Sequence, residues 1–224
     1  MKNTEKLPKE SNRDYALRVI RENIINLELK PGTMISEQDI ANELNLSRTP
    51  VHEAMQELST TKIIEILPQR GSYVSKIDMA LVDEAVFMRS NLECAVAELV
   101  CDLATKADLQ KMEENINLQE FYLSKNNRDK IMELDNDFHQ EMYRVANKMQ
   151  CFYMVKLINI HHDRIRELHL YASDPTVIVT EHKAILEAFK NQDKELAKTI
   201  IKKHLTRFYS QEPEIREKFG QYFI

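Results

Sequence analysis

The sequence predicts a mainly α-helical protein in two parts: three short helices with a hairpin, then an antiparallel bundle of six or seven helices. Three observations carry this. Glycine and proline are scarce, 3 and 6 in 224 residues, which favours helices over a turn-rich sheet protein. Apolar residues recur at helical spacing through most of the chain. Only in "KIIEILPQRGSYVSKI", residues 62–77, does the pattern change, to two short β-branched runs around Pro68 and Gly71, as in a hairpin.

The elements follow in order. "RDYALRVIRENIINLELKPG" carries Leu17, Ile20, Ile24 and Leu27 on one helical face and stops at Pro31-Gly32. "SEQDIANELNL" opens with Ser36 and Asp39 in capping-box positions and keeps Ile40, Ala41 and Leu44 on one side, a second helix. Ser47 then caps a third, with Pro50 in its first turn, where a missing N–H costs little. Val51, Ala54, Met55 and Leu58 form its inner stripe. Beyond Asp78 the apolar repeat predicts helices over 79–104, 107–125, 128–147, 151–171, 176–191 and 193–210, the fifth with a Ser173-Asp174-Pro175 start signal.

Charge separates the same two parts. Residues 1–76 hold equal numbers of acidic and basic side chains, so the whole net charge of −5 lies beyond them. A neutral first part can still bind DNA when its basic groups share one face, because phosphate contact is local. No apolar run is long enough to cross a bilayer, and "MKNTEKLPKESNRD" lacks a signal core. A cytoplasmic location is expected. Cys94, Cys101 and Cys151 are odd in number and lack metal-type spacing, so reduced structural thiols are expected.

Three short helices and a hairpin describe a winged helix-turn-helix, here residues 10–76, with a linker over 77–81 and a helical domain over 82–224. "LKPGTMISEQDIANELNLSRTPVHEAMQEL", followed by "PQRGSYV", resembles the DNA-binding domain of GntR-type bacterial transcription regulators. The resemblance implies that the third helix docks in the major groove and the hairpin tip near the minor groove. Arg48 matches the operator-contacting arginine, Thr49 a phosphate or base contact, and Gly71 the wing tip; Ser47 and Arg70 complete the expected DNA face. Arginine near the start of a reading helix suits bidentate contact with guanine. His52 departs from the family, which usually has arginine there. A shorter side chain with fewer donors implies a different base preference at that position.

In the second part the informative residues are polar ones on apolar stripes. Asp135 and His139 lie one turn apart among Met132, Phe138, Met142 and Val145; His182 falls among Ile178, Ile185, Leu186 and Phe189; His204 falls among Ile200, Ile201, Leu205 and Phe208. A lone inward histidine is usually a hydrogen-bonded core residue. Three of them with an inward carboxylate can instead ligate one ion from three helices. Spacing alone leaves both readings open. The region also resembles the all-helical FCD ligand-binding domain that follows this DNA-binding domain in the FadR-like branch. Its metal-binding members carry Asp, three residues, His and two later histidines, which Asp135, His139, His182 and His204 match. The resemblance implies one divalent ion per chain, zinc first, with nickel or manganese as alternatives.

Arg89 interrupts another stripe, among Val82, Val86, Leu92, Val96 and Leu99. It needs an anionic partner, either Glu93 one turn later or an effector carboxylate, as the family's arginine in an "R..LE" setting implies. "HHDRIREL" offers His161 and Arg164 as further effector contacts, while Arg166 is expected in solvent. The expectation is a homodimeric regulator, more often a repressor in this family, that binds a near-palindromic DNA operator and senses a small organic acid. A metal-responsive regulator and a metal-dependent hydrolase are the alternatives; the latter lacks an evident general base.

Overall fold

The computed structural model describes residues 1–172 and 174–224, side chains 171 and 172 apart, so Ser173 of the expected start signal lies outside the described residues. The first unit is built from α1 (Asn12–Ile25), β1 (Met34–Ile35), α2 (Glu37–Leu44), α3 (Arg48–Thr60), β2 (Ile64–Leu67) and β3 (Gly71–Val74). Ser11 and Ser36 each accept a backbone N–H three residues on, fixing the starts of α1 and α2. Ile20 and Ile24 of α1, Ala41 and Leu44 of α2, and Val51, Ala54 and Met55 of α3 close one core with Ile64 and Val74. The sheet is antiparallel in the order β1-β3-β2, with Leu67 opposite Gly71 at the hairpin end. Gly71 has φ +105°, where a side chain would be strained. The two-residue β1 adds an edge to the expected hairpin.

The second unit contains α4 (Met79–Leu103), α5 (Lys106–Ser124), α6 (Arg128–Val145), α7 (Met149–Ile158), α8 (Ile160–Ala172), α9 (Thr176–Lys190), α10 (Lys194–Thr206) and α11 (Glu212–Phe219). The run expected as one helix over 151–171 is divided at Asn159, whose side-chain amide donates to Asp163 at 2.6 Å. Val96, Val100, Phe138, Met142, Ile185, Phe189, Ile201 and Leu205 form the main bundle core. Thr105 and Asp108 complete a reciprocal capping box at α5. No helix among the described residues is long and apolar enough to cross a membrane. The three cysteines are free.

The two units meet without a loose connection. Asp78 caps α4, so residues 79–81 form its first turn. Ile77 is fully buried and exchanges backbone bonds with the C-terminal segment, Ile77 N to Tyr222 O at 2.7 Å and Ile224 N to Ile77 O at 3.2 Å. Ile160, the first residue of α8, is packed into the core of the first unit. The bundle thus reaches directly into the winged helix.

Candidate metal centre and DNA-facing surface

The start of α3 and the hairpin tip are both polar and solvent-facing. Ser47, Arg48, Thr49, His52, Arg70 and Gly71 are all exposed. Arg48 and His52 lie one turn apart, and Glu37 at the start of α2 holds both: its carboxylate is 2.7 Å from Arg48 Nε and 2.7 Å from His52 Nδ1. Partial burial pulls the Glu37 carboxyl up, and the bonds from His52 and Arg48 more than reverse this, leaving it below its ordinary value. Glu37 was not among the expected site residues. Its position in the first turn of α2 suits an anion for dipole reasons alone, which hides its second task.

Deep in the bundle, α6, α9 and α10 bring Asp135, His139, His182 and His204 together. All four are buried, and one potential ligand atom from each lies within 4.8 Å of the others. Asp135 Oδ1 is 3.6 Å from Nε2 of both His182 and His204, and Nε2 of His139 is 3.2 Å from Nε2 of His204. The other ring nitrogens face outward onto oxygens. His139 Nδ1 meets Glu93 Oε2 at 2.7 Å, His182 Nδ1 meets Gln119 Oε1 at 2.8 Å and His204 Nδ1 meets Glu181 Oε2 at 2.9 Å. Gln119 is itself oriented, because its amide nitrogen donates to Asn115 Oδ1 at 2.7 Å.

These outer oxygens decide the tautomers. Gln119 and Glu181 favour a proton on Nδ1 of His182 and His204 and turn Nε2 inward, the arrangement that orients metal-bound histidines; His139 Nδ1 is close to Glu93 but outside hydrogen-bond geometry. His182 Nε2 accordingly has no hydrogen-bond partner. Converging lone pairs beside a carboxylate repel one another unless a cation lies between them. The set of three imidazoles and one carboxylate fits a divalent ion of the zinc class. Burial keeps the imidazoles of His139 and His182 below their ordinary values, in the neutral form a metal requires. For His204, burial acts the same way, but bonds to Asp135 and Glu181 outweigh it and raise the value.

Arginines neutralise the surrounding acids one for one. Arg89 Nε donates to Glu93 at 2.7 Å, Arg166 pairs with Asp135, and Arg207 pairs with Glu181. Burial pulls the Asp135 carboxyl up, yet Arg166 and the neighbouring histidines hold it well below the carboxylate range. Arg89 is 3% exposed, and its Nη1 has no partner. A cavity of about 490 Å³ opens beside the cluster, with Arg89, Glu93 and His139 on its wall. It extends along α6 to α8 and to Arg21 and Asn26 of the winged helix.

Comparison with known proteins fits both halves. Residues 15–74 match the model of bacterial regulatory proteins of the gntR family, and residues 84–207 match the FCD domain. The chain belongs to the GntR family. The HTH-type transcriptional repressor RspR of Escherichia coli (strain K12) is 30% identical over 207 residues, 92% of this chain and 91% of that one. An HTH-type regulator in an unstable DNA locus of Streptomyces ambofaciens is also 30% identical, across 95% of this chain and 89% of that one. Among solved structures, E. coli McbR/YncC shares the fold with a TM-score of 0.76 at 20% identity, covering 90% of this chain and 99% of that one. This GntR protein is therefore a DNA-binding transcription regulator with an FCD effector domain, and not an enzyme.

In this GntR regulator, several side chains sit away from their expected places. His161 and Arg164, expected against an effector, lie at the junction with the winged helix instead. His161 Nε2 donates to Thr61 O at 2.8 Å and Arg164 Nη1 to Ser75 O at 2.8 Å. Neither lines the large cavity. Burial, with Arg164 beside it, brings the His161 ring down to about 4, so it stays neutral there. Arg166, expected in solvent, is mostly buried and bonds Asp135 and Asp163. Gln119, Glu181 and Arg207 were missed; the signal available for Glu181 was its place directly before an inward histidine.

Proposed function

We propose that this regulator represses transcription as a homodimer on a near-palindromic operator, and that a small organic carboxylate relieves repression by binding beside a metal ion in the FCD domain. One observation carries the effector half: the inward Nε2 atoms of three histidines and Asp135 converge next to a 490 Å³ cavity with Arg89 on its wall, and Arg89 Nη1 is buried without a partner among the described residues. Asp135, His139, His182 and His204 would hold one divalent ion, zinc before nickel or manganese. The ion would supply a fixed positive charge that attracts a carboxylate oxygen. Arg89, anchored through Nε by Glu93, would turn its unpartnered Nη1 to donate a charge-assisted bond to the same anion.

On the DNA side, Arg48, Thr49 and His52 at the start of α3 are the base readers, and Ser47, Arg70 and Gly71 position the backbone. Dimerisation is supported by Tyr153, Met154, Leu157 and Ile158, large apolar side chains exposed on α7, which a second copy would bury. Repression is supported by the similarity to RspR, itself described as a repressor.

Fluorescence anisotropy on an operator selected from random DNA tests this reading. Zinc-loaded protein should bind it tightly and release it when the right carboxylic acid is added. Loss of operator binding on chelation alone would make the ion the signal. Operator affinity indifferent to metal and to a panel of acids would remove the effector half.

A further inference from the structure

The cavity beside Arg89 has two unlike ends. Its wall follows one face of α6, through Asp129, Met132, Asn136 and His139. Ten residues at a rise of 1.5 Å separate the ends by about 15 Å. At the His139 end stand the cluster and Arg89, which is already paired through Nε with Glu93. At the other stand Asp129 and Glu167, the latter on α8 and only 4% exposed. Carboxylates outnumber cationic side chains on the wall as a whole. Arg21 is already committed, donating to the carbonyl of Lys156.

A ligand with a carboxylate at each end fits this charge pattern badly. Its second carboxylate would face Asp129 and Glu167 in a partly dry site, where like charges repel strongly. The acidic end has already drawn in a cation from the chain itself. Lys2 Nζ lies 3.2 Å from Asp129 Oδ2 and 3.2 Å from Glu28 Oε1. Glu167 forms no ion pair among the described residues: burial, and next the charge of Asp129, push its carboxyl up to about 7, against the opposing charges of Arg166 and Lys2.

We propose that the effector is an amino-carboxylate, whose carboxylate meets Arg89 at the cluster end and whose ammonium lies against Glu167 and Asp129 at the other. This rests on the reading that a carboxylate binds at Arg89, and adds the acidic end as a specificity site. Glu167 accepts from the ammonium, and Asp129 gives up part of its contact with Lys2. A ligand bearing only carboxylates lacks the first interaction and meets repulsion in its place.

Calorimetry on the full-length, zinc-loaded protein tests the proposal with three matched probes: 6-aminohexanoate, hexanoate and adipate. The longer set, 8-aminooctanoate, octanoate and suberate, extends the reach by two methylenes. In at least one set the amino acid should bind about ten- to a hundredfold tighter than its two partners, the effect of a charge-assisted hydrogen bond. Glu167→Gln should erase that preference by bringing the amino acid's affinity down toward that of the simple acid. Arg89→Met should weaken all three probes. If the simple acid or the diacid binds as tightly as the amino acid in both sets, the acidic end is not a specificity site and the Arg89 reading stands. A preference that survives both Glu167→Gln and Asp129→Asn overturns the proposal in the same way. If no probe binds, both readings fall.

Discussion

Replacing Glu167 with glutamine should stabilise the ligand-free protein above neutral pH and do little in acid. Glu167 is 4% exposed on α8. Burial raises its carboxyl from the ordinary 4.5 to about 7; Asp129 and Asp163 add to this, while Arg166 and Lys2 oppose it. Holding the charged form in that place therefore costs about 3 kcal/mol. Because the folded value lies above the unfolded one, the folded chain keeps a proton that the unfolded chain has released. Stability falls as pH rises from about 4.5 to about 7, and the loss is complete above that window. Glutamine carries no such charge. For a chain of this length about 1 kcal/mol moves Tm by roughly 2–4 °C, so the variant should melt about 6–12 °C higher than wild type at pH 8. Most of that gain should be gone at pH 4.5. Any cost of burying the amide is common to both conditions, so the difference between the two pH values is the readout, followed by circular dichroism. A gain that is the same at pH 4.5 and pH 8 would refute the reasoning. A stability gain paired with loss of the ammonium preference would mark Glu167 as a group kept for binding at the expense of stability.

Three further outcomes are expected. Arg48→Ala should weaken operator binding by about 1–3 kcal/mol and relax preference at one base pair; unchanged discrimination between operator and random DNA would exclude α3 as the reader. Glu37→Gln should lower the ratio of specific to random binding in competition assays, because Arg48 and His52 lose their shared anchor; an unchanged ratio would leave Glu37 as a helix-start residue only. Protein purified with its metal should hold close to one divalent ion per chain by mass spectrometry, and His182→Ala should cut this sharply and lower Tm, since an ion that binds only the folded chain stabilises it. Full occupancy in the variant would rule out the four-residue ligand set.

Much of this architecture is legible in the sequence because local chemistry and packing agree. Ser36 starts α2 where the capping rules place it, while Ser47 stands at the start of α3 but its side chain makes no cap bond there. The β-branched runs around Pro68 and Gly71 form the hairpin. The ligand candidates stand out because an inward Asp or His on an apolar stripe needs a reason to be there. What stays hidden depends on more than one buried face per helix. α8 is enclosed on nearly every side, so a single apolar stripe assigns Arg166 to solvent when it bonds Asp135. The same stripe puts His161 and Arg164 inward without saying that inward means the winged helix. Gln119 and Glu181 act only through a histidine on another element, and no spacing in their own helices records that. The break at Asn159 is hidden by apolar periodicity that runs on through it.

On the proposed function, α8 would give the effector a short physical route to DNA. Arg166 on this helix bonds Asp135 of the cluster, and Glu167 lines the cavity. One turn earlier, Arg164 donates to Ser75 O just after the wing, and His161 donates to Thr61 O at the end of α3. Both bonds are buried or nearly so, and losing one such bond costs about 1–3 kcal/mol. Allosteric coupling free energies lie in the same range, so a small shift of α8 that loosens these two bonds is enough to change operator affinity. Arg164→Met keeps the volume and removes the bond to Ser75. It should leave effector affinity of the free protein near wild type and reduce the effect of effector on operator binding. Linkage requires the reciprocal change: operator DNA should alter effector affinity by the same factor in each protein, and by a smaller factor in the variant. Titrating effector with and without operator measures this directly. An undiminished coupling factor in Arg164→Met would mean that the bond to Ser75 does not carry the signal.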